Sequence, residues 1–240
     1  MGKRLITQRR GRGTTTYKSP SHRYKGAIKY RRMDDTEKEG VIYGVVKDFV
    51  DCPGHKAPLS LVKYDKEEVL LSAPLGIKVS DIVASGATAP VQTGNTLPLS
   101  NIPEGTFVYN LEIRPGDGGK LVRSSGNFAK VVGRTEKEVV VILPSRKQKK
   151  LDGRCRATVG VIAGGGSKEK PLLKAGTKMH AMRAKNKLYP KTSGVAMNAV
   201  DHPFGSGRGR HAGKPKTAPR WAPAGRNVGL IRAKRTGKRK

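Results

Sequence analysis

The sequence predicts an all-β protein of two small barrels carried between long basic, irregular extensions. Three observations predict it: seven short β-branched runs separated by turn residues, a weakly patterned break between the third and fourth runs, and charge confined to the two ends. The runs are VIYGVVK (41–47), LSLVKY (59–64), EVLLS (68–72), FVYNLEI (107–113), FAKVVG (128–133), EVVVIL (138–143) and RATVGV (156–161). Between them stand CPG, APLG, TGN, IPEG, RPGDGG and LDG, where Gly, Pro, Asn and Asp supply turn chemistry. Short strands at this spacing favour closed or nearly closed sheets, which leave no exposed edge. The stretch SGATAPVQTGNTLPLSNIPEG (85–105) is rich in Gly, Pro and Ser and weak in strand pattern, so it separates two barrels better than it interrupts one sandwich.

The charge has a matching organisation. The 240 residues carry 49 Lys and Arg against 18 Asp and Glu, a net charge of +31. Residues 1–32 hold 11 basic residues and no acid, and residues 161–240 hold 20 against two, Glu169 and Asp201. The middle, 33–160, is nearly neutral at 18 against 16, so almost all the excess lies in the flanks. A polycation of this strength favours a polyanion, which means nucleic acid or an anionic membrane surface. No apolar span and no basic amphipathic helix supports the membrane reading. The N-terminus MGKRLITQRR lacks the apolar core of a secretory signal, so a cytoplasmic location is expected.

The boundaries that follow are a basic extension over 1–35, a first barrel over 36–83, a second over 84–162 and a basic extension over 163–240. Both extensions, including HRYKGAIKYRR (22–32), are expected to lack a core and to be disordered when free. One helical stretch is expected within KPLLKAGTKMHAMRAKNKL (170–188).

Several motifs invite chemical readings. Cys52 and His55 in CPGH have zinc-like spacing, but no second Cys/His pair completes four ligands, so no metal site is expected. With Cys155, the thiols read as buried and inert. GSGRGR (205–210) ends in Arg210 where a dinucleotide loop needs Gly, and GGGSK (164–168) lacks the Walker order, so no nucleotide pocket is expected. Asp201 and His202 are adjacent, and in an extended segment their side chains point apart, which is a poor start for a catalytic dyad. An RNA contact by His202 is the better reading, with glycines allowing close backbone approach and Arg208 and Arg210 presenting planar forks to phosphate.

The nucleic-acid contacts are expected from Arg9, Arg10, Arg12, Arg23, Arg31 and Arg32 in the first extension, and from Arg146, Lys147, Lys149, Lys150, Arg154 and Arg156 in the basic, hairpin-like stretch SRKQKKLDGRCR (145–156). In the second extension they are expected from Asn198, His202, Arg208, Arg210, Lys214, Lys216, Arg220, Trp221 and Arg226. Tyr17, Tyr24, Tyr30, Tyr189, Phe204 and Trp221 lie in the flanks, where stacking on unpaired bases is the expected use.

Three segments carry a resemblance. GNTLPLSNIPEGTFVYNLEIRPGDGGKLVRSSG (94–126), RCRATVG (154–160) and SGVAMNAVDHPFGSGRGR (193–210) resemble, in order and spacing, the universal large-subunit ribosomal protein family known as L-two. The ending APAGRNVGLIRAKRTGKRK (222–240) is similar to its archaeal and eukaryotic branch. The family's signature runs Pro-x-x-Arg-Gly, Met-Asn-Pro and Asp-His-Pro. Pro190, Gly194, Met197, Asn198, Asp201, His202 and Pro203 match it, while Ser193, Ala199 and Phe204 stand where Arg, Pro and a second His of the bacterial version are usual.

The resemblance implies an OB-fold barrel followed by an SH3-like barrel, assembled on large-subunit (23S-type) rRNA. It implies a structural, non-enzymatic constituent that supports subunit assembly, subunit association and the peptidyl-transferase region. Neighbouring large-subunit proteins, and the small subunit in the assembled ribosome, are the implied protein partners. No cofactor of its own is expected, and any Mg²⁺ or K⁺ would be held jointly with rRNA. The alternatives are participation of His202 in peptide-bond formation and a general nucleic-acid compaction role.

Overall fold

The computed structural model describes residues 2–65, 67–167, 169–207 and 211–231. The chain divides into two compact units, one spanning Ser21–Pro171 and the other formed by the described residues of 1–20 and 172–240.

The first unit is all-β. Its strands are β1 (Val41–Val50), β2 (Leu59–Tyr64), β3 (Glu68–Ser72), β4 (Ile82–Gly86), β5 (Thr96–Pro98), β6 (Phe107–Tyr109), β7 (Ala129–Arg134), β8 (Glu138–Ile142), β9 (Gln148–Asp152) and β10 (Arg156–Val159). They hydrogen-bond in the order β3-β2-β1-β4-β5-β10-β6-β7-β8-β9. This is an OB-fold barrel followed by an SH3-like barrel. The seven runs of the sequence all form strands. β4, β5 and β9 are additional, and β5 lies inside the stretch expected to be a bare break. A single parallel pairing, Ser85 with Thr96, joins the two halves there.

Alternation along the strands builds two cores. In the first half Val46, Val62, Tyr64, Leu71 and Val83 point inward. In the second, Leu97, Val108, Leu111, Val131, Val139, Val141, Leu151 and Ala157 do so. Cys52 and Cys155 are both free and buried, and burial pushes the Cys155 thiol up to about 12.

The described part of 22–32 corrects the expectation of a coreless extension. Ile28 packs with Cys52 and Leu59, and Tyr30 closes the first core. The Tyr30 hydroxyl donates to the Asn110 carbonyl at 2.7 Å and lies 2.8 Å from the Thr158 hydroxyl, so Tyr30 is no base-stacking residue. The signal was present in the spacing of Ile28 and Tyr30, an inward pair at strand period, and the surrounding Lys and Arg obscured it.

The second unit has its own small core of Leu5, Phe204, Ala212 and Val228, with Val195 against it. Phe204 therefore also leaves the stacking set. Among its described residues this unit has the α-helices α1 (Ile6–Gly11) and a later one, Ala175–Arg183, within the stretch expected to be helical. The later helix, labelled α3 after the short α2 (Asp35–Glu39) of the first unit, buries no side chain of its own. Among the described residues no helix is long and apolar enough to cross a membrane.

Candidate nucleic-acid interface

The basic residues fall into three physical groups, and burial decides between them. Arg31 and Arg156 form the first. Arg156 is 2 % exposed; its Nη2 donates to Glu112 Oε1 at 2.9 Å and its Nη1 to Glu37 Oε1 at 3.1 Å and to the Arg31 carbonyl at 3.0 Å. Burial opposes its charge, and the hydrogen bonds and charges of Glu112 and Glu37 outweigh that, leaving its pKa raised. Arg31 bonds Asp34 Oδ2 at 2.7 Å, Glu67 Oε1 at 2.8 Å and Glu37 Oε2 at 3.1 Å. The Arg31 hydrogen bond holds the Asp34 carboxyl down at about 2 against opposing burial. Glu37 also accepts from the Ser85 hydroxyl at 2.5 Å. Four of the five N–H donors of each guanidinium are engaged in this way, which makes Arg31 and Arg156 internal clamps rather than the open phosphate contacts expected.

The second group is exposed on the first unit. β8 and β9 form a hairpin whose turn places Arg146 at a left-handed φ of 64°, with the Leu143 amide donating to the Lys147 carbonyl at 3.0 Å. Arg146, Lys147 and Lys150 are exposed and Lys149 is half-buried. Lys150 sits 3.5 Å from Glu138, a solvated pair worth little. Arg154 bonds Asp152 at 2.9 Å yet remains 81 % exposed, so it retains a face for phosphate. Arg23 and Arg32 are also exposed.

The third group lines a cleft of about 710 Å³ in the second unit. Lys3, Arg4, Arg9 and Arg10 come from the start of the chain and α1. Lys191, Asn198 and His202 come from the segment 190–202, and Asp201 is the one acid of the lining among the described residues. Lys3, Arg4 and Lys191 were not singled out from sequence, and only their place in a basic flank hinted at them. Arg12 follows α1 and is exposed.

The wall containing His202 is a tight loop. The amides of Asp201 and His202 both donate to the Asn198 carbonyl, at 2.9 and 3.2 Å. The segment is therefore a turn rather than the extended strand expected, and Asp201 is diverted for another reason, its pairing with Lys3 Nζ at 3.6 Å. His202 Nδ1 accepts from the Phe204 amide at 3.0 Å, which leaves Nε2 as the ring atom open to a ligand. Burial holds its pKa below the ordinary 6.5, so the neutral imidazole is favoured. The ring lies directly on Gly194, where a Cβ would collide with its Cε1; at Gly205 a Cβ would collide with the Asn198 carbonyl oxygen. These two glycines make close approach within the chain itself.

Of the remaining expected contacts, Lys214 and Lys216 are exposed, and Trp221 is 86 % exposed with Arg220 over its ring at 5.2 Å. Arg226 donates to the Pro215 carbonyl at 3.1 Å and lies over Phe204 at 5.8 Å, so part of it serves the local fold. Tyr189 carries Lys178 over its ring at 5.3 Å. Arg208 and Arg210 lie outside the described residues. Cys52 Sγ is 3.2 Å from His55 Nδ1, and among the described residues no three His, Cys, Asp or Glu side chains gather as metal ligands.

Residues 92–222 match the family model described as Ribosomal Proteins L2, C-terminal domain. Over the full length of both chains, the sequence is 56 % identical to the large ribosomal subunit protein uL2 of Methanothermobacter thermautotrophicus and 54 % identical to that of Methanosphaera stadtmanae. It is likewise 54 % identical to the uL2 of Methanocaldococcus jannaschii, again over the whole of both chains. With this full-length similarity and the paired barrels in hand, the chain belongs to the L2 family of ribosomal proteins, in its archaeal form.

Proposed function

We propose that this chain is a structural constituent of the large ribosomal subunit that binds large-subunit rRNA and supports subunit assembly, subunit association and the peptidyl-transferase region. The single observation that carries the binding reading is the separation of cations by burial. Arg31 and Arg156 are consumed internally, while Arg9, Arg10, the 146–150 hairpin, Arg154 and the 214–221 segment stay accessible. Accessible cations of this number neutralise phosphate, so affinity is dominated by counterion release and falls with salt. The barrels supply a rigid register, and specificity comes from RNA shape and unpaired bases.

His202 is a positioned contact rather than a reacting group in this reading. Its Nδ1 is engaged by the Phe204 amide, and Asp201 is turned to Lys3. The Nε2 edge suits a hydrogen bond to a phosphate or base in the cleft. Neighbouring large-subunit proteins and the small subunit are the further partners, and Mg²⁺ or K⁺ would be shared with rRNA.

Competition binding of the full chain to large-subunit rRNA and duplex DNA at moderate salt tests the reading. Preference for rRNA is expected; equal affinity for both indicates a compaction protein instead. His202→Ala in assembled subunits is expected to leave the single-turnover peptide-transfer rate near that of the parent. A collapse of that rate with normal assembly would assign His202 to the chemistry.

A further inference from the structure

β6 to β9 present an outward face that carries aromatic, aliphatic and basic side chains together. Inward positions Val108, Ala129, Val131, Val139 and Val141 are buried, so the alternate positions Phe107, Phe128, Lys130 and Val132 must face out. Phe107 is 44 % exposed and Phe128 42 %. Their rings pack on each other with centroids 4.5 Å apart and planes tilted by 53°. A tilted pair covers one side of each ring and leaves the others to solvent.

The neighbours on this face are set by register. Phe107 pairs with Lys130, Lys130 with Ile142, and Ile142 with Gln148. Further along, Val140 pairs with Lys150. The acids of this part of the face, Glu138 and its cross-strand partner Asp152, are already drawn to Lys150 at 3.5 Å and to Arg154 at 2.9 Å. The face therefore combines two open aromatic rings, half-buried aliphatic side chains, and a lysine, Lys130, paired directly across from Phe107, with Lys150 two strands further on. It continues into the basic turn at Arg146 and Lys147.

We propose that this outer face is a stacking site for an unpaired base of rRNA, with Phe107 and Phe128 taking the base and Lys130 a phosphate beside it. The proposal rests on the rRNA-binding reading above and adds to it a place and a chemistry. Charge complementarity selects the occupant. An apolar protein partner would meet the charge of Lys130 beside the rings, whereas a nucleotide offers a π-face and a phosphate at the spacing of adjacent strand positions. Cross-strand packing accounts for the two rings touching, but leaves their open faces and the adjoining Lys130 unexplained.

The test uses the full chain, a large-subunit rRNA transcript, a short single-stranded oligouridine and a duplex of the same length. Phe107→Leu/Phe128→Leu keeps apolar volume and removes the π-faces, while Phe107→Tyr/Phe128→Tyr keeps them. The Leu pair is expected to bind oligouridine and rRNA about tenfold more weakly or worse, with duplex binding and salt slope unchanged. The Tyr pair is expected to bind like the parent, and matching circular dichroism shows that both fold. A Leu pair that binds every RNA as tightly as the parent overturns the stacking site while leaving rRNA binding intact. The same result with loss of a neighbouring protein from reconstituted particles assigns the face to protein docking and also overturns it. Failure of the parent itself to bind rRNA overturns the underlying reading, and this one with it.

Discussion

Replacing Glu112 by Ala removes the anion at the centre of the first unit's polar interior. Glu112 is fully buried; it accepts from Arg156 Nε at 3.2 Å, Nη2 at 2.9 Å and the backbone amide at 2.9 Å, and from the amides of Gly118 and Gly116 at 2.9 and 3.2 Å. The substitution leaves Arg156 with half its charge partners and strands two loop amides. Breaking a buried pair in this way costs about 3–5 kcal/mol, which for a unit of this size is a fall of about 6–20 °C in melting temperature. The assay is thermal and urea unfolding followed by circular dichroism, with hydrogen exchange at β10 and the 114–119 loop as the local readout. Arg156→Ala and the double variant complete a cycle, with an expected coupling of about 1–3 kcal/mol. A Glu112→Ala variant within about 1 kcal/mol of the parent would refute the assignment of these groups as a clamp.

Three further outcomes follow from the same geometry. Removing Arg146, Lys147, Lys149 and Lys150 together is expected to weaken rRNA binding and flatten its salt dependence, by about one unit of slope for each phosphate no longer neutralised, without changing unfolding; an unchanged slope assigns the hairpin to solvent. Gly194→Ala places a methyl against the His202 ring, and is expected to displace that ring and weaken the 197–206 loop, seen as a shifted His202 resonance and faster exchange of the Phe204 amide. His202 itself is expected to titrate below 6.5 by NMR, because burial penalises the imidazolium. Since its folded pKa is depressed, its contribution to stability is present above the unfolded pKa and lost as pH falls through the folded one; a midpoint above 6.5 contradicts this burial.

What was legible in the chain depended on how locally it was encoded. The seven β-branched runs and the Ala175–Arg183 helix carry their pattern within a few residues. β4, IVASG, and β5, TLP, are short and end in Gly and Pro, residues that otherwise signal a break, and their pairing is fixed by β1 and β10 rather than by their own composition. β9, QKKLD, lies in the basic stretch whose hairpin character was legible, though its charges kept it from standing out as a strand of its own. The fate of Arg156 was not legible at all. Its partners Glu112 and Glu37 lie 44 and 119 residues away, and a charge count cannot show that they converge. The cleft is intermediate: its cations were apparent as a basic flank, but only folding brings α1 to the loop of Asn198 and His202. The direction taken by Asp201 was hidden for a related reason, since Lys3 claims it from the opposite end of the sequence.

The central claim is that the exposed cations, held in register by the barrels, bind this chain to the large subunit through its rRNA. The most direct measurement is sedimentation of the chain with purified large subunits, first at moderate salt and then after a high-salt wash. The chain is expected to stay in the large-subunit fraction at moderate salt and to be released as salt rises, and substitution of the accessible set, Arg9, Arg10, Lys147 and Lys150, to lower the salt at which it is released, while Arg156→Ala acts only through stability. Absence of the parent chain from the large-subunit fraction at moderate salt, or a release point that loss of those four cations leaves unchanged, would contradict it.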